Sequence, residues 1–187
     1  MSHTGAVYIQ VLELRSKILI ALLLVLGAFF AVRMMMSPGL EQFDIWLRGG
    51  LWLLIILVWS SWIFRAYGNL EKVFGLTTKR SPLMAVLVHF IPLVHLFKPY
   101  QVFREIWQKS APLERRHERV LLGVWWGVWV LCPFYYAGNR ALFQAFPYAF
   151  VDTLLTCLDV ALFPLSCVLA ARVIWTITAF QASQSQG

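Results

Sequence analysis

Residues 82–97 read PLMAVLVHFIPLVHLF, and the way this stretch meets a membrane decides the fold. A helix needs roughly 20 apolar residues to cross a hydrocarbon core of about 30 Å, and this block falls short. Pro92 lies in its middle, Pro82 and Pro99 bracket it, and His89 and His95 make it the most polar of the apolar blocks. Proline inside a helix removes a donor and strands a carbonyl that hydrocarbon cannot satisfy, so a broken segment is tolerated only where other helices surround it. The block therefore reads as a re-entrant helical hairpin that enters and leaves by one face. A full crossing is the alternative.

Working outward, four longer apolar blocks cover about 18–36, 45–64, 120–138 and 150–176. None alternates as a barrel strand would, so each reads as a transmembrane helix. The first has a charged start but lacks a convincing pair of small residues before a cut, and is read as a retained span rather than a leader. The expected fold is an all-α integral membrane protein, one membrane domain over residues 1–187. It has four transmembrane helices plus the hairpin at 82–97, or five transmembrane helices if that block crosses, and an amphipathic interfacial helix at about 99–109.

Composition agrees. Of the 187 residues 60% are hydrophobic and 13% charged, whereas a soluble domain carries about 25% charged residues. That is too little charge to cover a water-facing surface, and too much apolar residue for disorder. Cys132, Cys157 and Cys167 all lie inside apolar runs and read as packing residues, not bridges.

The net charge of +7 is informative by position. With the hairpin, one face collects Arg15, Lys17, Arg65, Lys72, Lys79, Arg80, Lys98, Arg104, Lys109, Arg115, Arg116, Arg119 and Arg172, leaving Arg33, Arg48 and Arg140 on the other, thirteen against three. Five crossings give seven against nine, which is no bias. Basic residues accumulate in cytoplasmic loops, so the hairpin arrangement is preferred, with both termini cytoplasmic. The charge is an orientation signal, and no nucleic-acid motif accompanies it.

After the hairpin, KPYQVFREIWQKS starts a helix at Pro99 and places Tyr100, Phe103, Ile106 and Trp107 on one face, a pattern suited to the headgroup boundary. The dense charge of LERRHERV reads as a solvated loop or as an attraction for anionic lipid headgroups. Trp125, Trp126 and Trp129 lie deeper than an interfacial belt, which fits packing against the hairpin or a groove for a hydrophobic ligand.

Ionisable residues at depth are the functional candidates, since a charge at a helix centre costs about 2.5–3.5 kcal/mol even on lenient scales. Asp159 in the last block, with His89 or His95, forms a candidate intramembrane pair. It reads as a hydrogen bond docking the hairpin, with a proton relay or ion site as the sharper alternative. Arg65, Tyr67 and Asn69 precede the hairpin and Lys98, Tyr100, Gln101, Arg104, Glu105 and Trp107 follow it, forming a candidate cytoplasmic face. Such groups satisfy the exposed backbone of a re-entrant segment, or line a vestibule for an anionic headgroup or peptide. Enzyme signatures are missing, with no Gly-x-Ser-x-Gly, no His-Glu-x-x-His and no P-loop. No catalytic, cofactor or metal residues are assigned.

The run Trp62, Arg65, Ala66, Tyr67, Asn69, Leu70, then Ser81-Pro82, Phe90-Ile91-Pro92, Lys98-Pro99-Tyr100-Gln101, Arg104-Glu105-Ile106-Trp107 and Val124-Trp125-Trp126 resembles a bacterial membrane family catalogued as domain of unknown function 4328. Gly68 departs from it, where a larger polar residue is expected. The resemblance implies a multi-span domain of the bacterial cytoplasmic membrane and no established activity. The functional expectation is a non-enzymatic interaction or scaffold module with a basic cytoplasmic face. Its partners would be the bilayer, anionic headgroups and a protein partner or second copy. A small oligomeric transporter or channel using the Asp159 and histidine pair is the alternative.

Overall fold

The computed structural model describes residues 3–35, 41–115, 120–145 and 149–185, and is helical with no strand among them. Its first helix, α1, spans His3–Met35 and begins fifteen residues before the expected apolar block. Ile9, Leu12, Ser16, Leu19, Leu23 and Leu26 are buried at spacings of three and four, so a single buried stripe runs unbroken through the charged start of the block. Helix α2, Glu41–Lys72, ends where Gly75 adopts φ +62°. The Leu76 N–H donates to the Leu70 carbonyl (2.8 Å) and the Gly75 N–H to that of Glu71 (3.0 Å), closing the helix with a left-handed turn that suits glycine.

Helices α5, Val120–Ala145, and α6, Ala149–Gln184, follow later in the chain. Helix α1 packs chiefly on α6 and then on α2, while α5 packs on α6. The α1–α6 contact depends on Gly27, where a Cβ would meet Cys167 Cβ at 3.3 Å and the Pro164 Cα at 3.4 Å. A small residue opposite the proline lets the two backbones approach, as small residues do between helices in lipid.

Among the described residues three helices are long and apolar enough to cross a membrane, at Gly5–Val32, Gly49–Lys72 and Val160–Gln184, and Val120–Cys132 is a shorter apolar helix. Their outer surfaces carry large exposed apolar side chains, among them Val25, Leu53, Leu57, Leu131 and Val168. A water-soluble monomer rarely exposes so much apolar surface. The side chains of Arg33, Arg48 and Arg140, assigned above to the opposite face, lie outside the described residues.

The decisive stretch contains no crossing helix. It folds as a six-residue helix α3, Pro82–Leu87, a turn, and a single 3-10 turn at Val94–Leu96. Ser81 caps α3 by accepting from the Met84 N–H. The break is a γ-turn centred on Leu93, at φ 63° and ψ −46°, with the Val94 N–H donating to the Pro92 carbonyl at 2.7 Å. That conformation is strained for a side-chain-bearing residue. Leu83, Met84, Leu87, Phe90, Ile91, Leu93 and Phe97 are exposed, Leu93 to 80%.

Helix α4, Lys98–Ser110, has the expected amphipathic pattern. Its apolar face does not look outward to a headgroup layer, however. Val102, Phe103, Ile106 and Trp107 are buried against the bundle, because α2, α5 and α6 supply a protein surface for them. The start of α1, the end of α2, α4 and the end of α6 gather at one end of the molecule. There Arg65 lies 4.8 Å over the Tyr8 ring and Asn69 bonds to Gln181.

Candidate functional site

Two hubs of buried polar side chains tie that end together. Helix α4 turns Glu105 inward, leaving it 6% exposed. Its Oε2 accepts from the Tyr67 hydroxyl (2.8 Å), and its Oε1 from the Lys79 N–H and from Lys109 Nζ, both at 2.9 Å. Arg80 stands 3.7 Å from the same carboxylate, its N–H donates to the Tyr67 hydroxyl (3.1 Å), and Lys109 also donates to the Thr77 carbonyl. Burial pushes the Glu105 carboxyl up, but the hydrogen bonds from Lys109, the Lys79 amide and Tyr67 outweigh it and hold the group below its ordinary value. The second hub is Gln181 of α6. Its Nε2 donates to the Ala66 carbonyl (2.9 Å) and Ser110 Oγ (3.0 Å), while its Oε1 accepts from Asn69 (3.2 Å).

Most of the motif residues on either side of the 82–97 stretch are thus drawn together. Tyr67 and Glu105 clamp the 73–81 loop onto α4, and Asn69 locks α2 to α6. Gln101 accepts from Arg80 at 3.1 Å, so the residues just before and just after the broken stretch touch. Tyr100 lies against Trp126 with ring centroids 6.3 Å apart, and Trp107 stands edge-on to Phe180 at 5.3 Å. Arg65 lies over the Tyr8 ring, while Asn69, one turn further along α2, is buried against Gln181. Lys98 and Arg104 are exposed.

The histidines repair the backbone that the break opens. His89 Nδ1 lies 3.0 Å from the Ala85 carbonyl and 3.2 Å from that of Val86, and His95 Nδ1 lies 2.7 Å from the His89 carbonyl. Carbonyls only accept, so each Nδ1 carries the hydrogen, and in the neutral ring each Nε2 is left as an acceptor. The third member of the expected constellation, Asp159, lies one turn before Phe163 in α6, and its side chain is outside the described residues.

Beneath the broken stretch is a cavity of about 230 Å3. Trp52, Trp59, Trp125, Trp126, Trp129 and Phe163 supply its aromatic walls, and His89 and His95 also line it. Trp59 and Phe103 meet Trp125 with centroids 6.0 and 4.8 Å apart, bridging α2, α4 and α5. Among the described residues, His89 Nε2 and Trp125 Nε1 are buried without a hydrogen-bond partner, as is Trp107 Nε1 elsewhere. No group of three metal-binding side chains occurs among the described residues. All three cysteines are free thiols.

Gln181 and Ser110 were not among the residues singled out from the sequence. Gln181 had a signal, because it continues the buried stripe Val173, Ile174, Ile177 and Phe180, where a polar residue needs a partner.

Long apolar helices, an outward apolar surface and a broken apolar stretch define a helical membrane protein. Residues 31–182 match the family model described as Domain of unknown function (DUF4328), and the chain belongs to that family. No curated protein and no solved structure matches the chain.

Proposed function

We propose that the protein is a non-enzymatic interaction module of the bacterial cytoplasmic membrane, crossing it four times, with the 82–97 stretch dipping in from the cytoplasmic face. The single observation that carries this is the hydrogen bond between Arg80 and Gln101, which brings the two ends of the stretch together. Seven exposed apolar side chains between those ends then have lipid as their natural surroundings. Of the polar motif residues, Tyr67 and Asn69 are spent inward on Glu105 and Gln181, while Lys98 and Arg104, with the neighbouring Lys72 and Lys79, stay exposed. A basic face of this kind suits an acidic segment of a partner protein, with anionic headgroups as additional neighbours.

The transporter alternative requires His89 or His95 to trade protons with Asp159. Both Nδ1 atoms already hold backbone carbonyls, which favours the module reading. The test is affinity purification in mild detergent of the native chain beside a Lys98→Glu, Arg104→Glu double variant. One partner recovered with the native chain and lost with the variant is the expected result. Identical recoveries, or an Asp159-dependent proton flux in proteoliposomes, would sink it.

A further inference from the structure

On the surface between α1 and α6 lies a groove of about 400 Å3, separate from the aromatic cavity. Glu13 and Lys17 of α1 and Trp175, Ala179 and Ala182 of α6 line it, and the two alanines leave the hollow open. Its level follows from the charges. Lys17 is the last of them before residues 18–32, which carry none until Arg33. From Lys17 to Arg33 a helix rises about 24 Å, less than a hydrocarbon core of about 30 Å, which holds Lys17 at the edge of that core. Trp175, 53% exposed in the same groove, is the side chain expected at that level.

Two opposite charges stand free in this groove. Glu13 and Lys17 are one turn apart on α1, yet neither side chain has an ion pair or hydrogen bond among the described residues. The other polar groups are occupied. Ser16 Oγ donates to the Glu13 carbonyl at 2.8 Å, Thr178 Oγ1 accepts from Trp62 Nε1 at 3.3 Å, and Ser183 Oγ donates to the Phe180 carbonyl at 2.9 Å. The apolar run begins after Lys17, so Glu13 lies about 6 Å nearer water. Arg172, exposed one turn inward of Trp175, is a second cation whose long stem can reach back to the Lys17 level. Cations thus lie inward and the anion outward, the order that complements a headgroup with its phosphate inward and its amine outward. A singly anionic headgroup would answer the cations and leave Glu13 facing a like charge. Choline carries its charge behind methyl groups and has no N–H to give the carboxylate. A primary ammonium beside a phosphate satisfies both charges through charge-assisted hydrogen bonds. Leu24 and Val168, two turns further in from Lys17 and Trp175, are exposed and give acyl chains an apolar bed.

We propose that the groove between α1 and α6 binds one phosphatidylethanolamine, its phosphate accepting from Lys17 Nζ and its ammonium donating to the Glu13 carboxylate. The site stands independently of the interaction reading, since it uses no residue of the basic face.

Native mass spectrometry of the full chain in mild detergent tests it, with dioleoyl phosphatidylethanolamine, phosphatidylcholine and phosphatidylglycerol titrated one at a time. One phosphatidylethanolamine is expected to bind about two- to fivefold more tightly than phosphatidylcholine, the range of a partly exposed ion pair. Glu13→Gln keeps the shape and should erase that preference. Glu13→Lys combined with Lys17→Glu keeps the net charge but inverts its order, and should erase the preference too. The readout is a ratio within each variant, so a fraction of unfolded chain does not shift it. Equal affinity of the native chain for the three lipids, or the native preference kept by either variant, overturns the proposal. Tighter binding of phosphatidylglycerol that is lost with Lys17→Gln would also overturn it and give the groove to anionic headgroups.

Discussion

At Glu105 two effects oppose each other, burial favouring the neutral acid and four hydrogen-bond donors or cations favouring the carboxylate. The second wins, so the folded carboxyl titrates below its unfolded value. A depressed folded pKa adds stability that is fully present above the unfolded glutamate value of about 4.3 and is lost as pH falls through the lower folded value. Thermal unfolding in detergent should therefore show stability declining below about pH 4.3, and Glu105→Gln should flatten that decline and lower stability at pH 7. Gln181 is fully buried and serves three partners. Gln181→Leu keeps the volume but strands Asn69 and Ser110, and should lower stability by about 2–3 kcal/mol in denaturant unfolding. Neither hub was legible from single positions. The residues around Glu105 stood out as a motif, but motif spacing cannot say whether a carboxylate faces inward or toward solvent.

Among the elements, the 82–97 stretch was the most readable, because proline chemistry dictates an interruption whatever the surroundings. What the residues could not disclose was its form, a six-residue helix and a γ-turn at Leu93, since that depends on which carbonyls find donors. His95 provides one by bonding the His89 carbonyl. His95→Leu should leave that carbonyl unpaired and cost about 1–3 kcal/mol, whereas His95→Asn, which keeps a donor, should recover part of the loss in the same unfolding measurement. Helix α4 teaches the complementary point. Its amphipathic period was plain, yet the partner of an apolar face is a tertiary fact, and lipid and protein are equally apolar. Asp159 stays the open member of the intramembrane constellation, its side chain lying outside the described residues.

For the whole molecule, the polar hubs, α4 and the ends of α1, α2 and α6 form one cap. The proposal places this cap on the cytoplasmic side and the aromatic cavity in the leaflet below it. The positions of the basic residues along the sequence pointed to that arrangement, because charge on loops is read at insertion and needs no knowledge of packing. The cavity was hinted at only by three tryptophans set deeper than a belt. The dip of residues 82–97 is the central claim, and impermeant maleimide labelling in oriented vesicles reaches it directly, with single cysteines at Lys79→Cys, Leu93→Cys and Arg104→Cys in a chain freed of its native thiols. The proposal requires labelling of positions 79 and 104 from the same face, and protection of position 93, whose native leucine is 80% exposed on the protein and would be covered by lipid. Labelling of positions 79 and 104 from opposite faces, or ready labelling of position 93 from the aqueous phase, would contradict it.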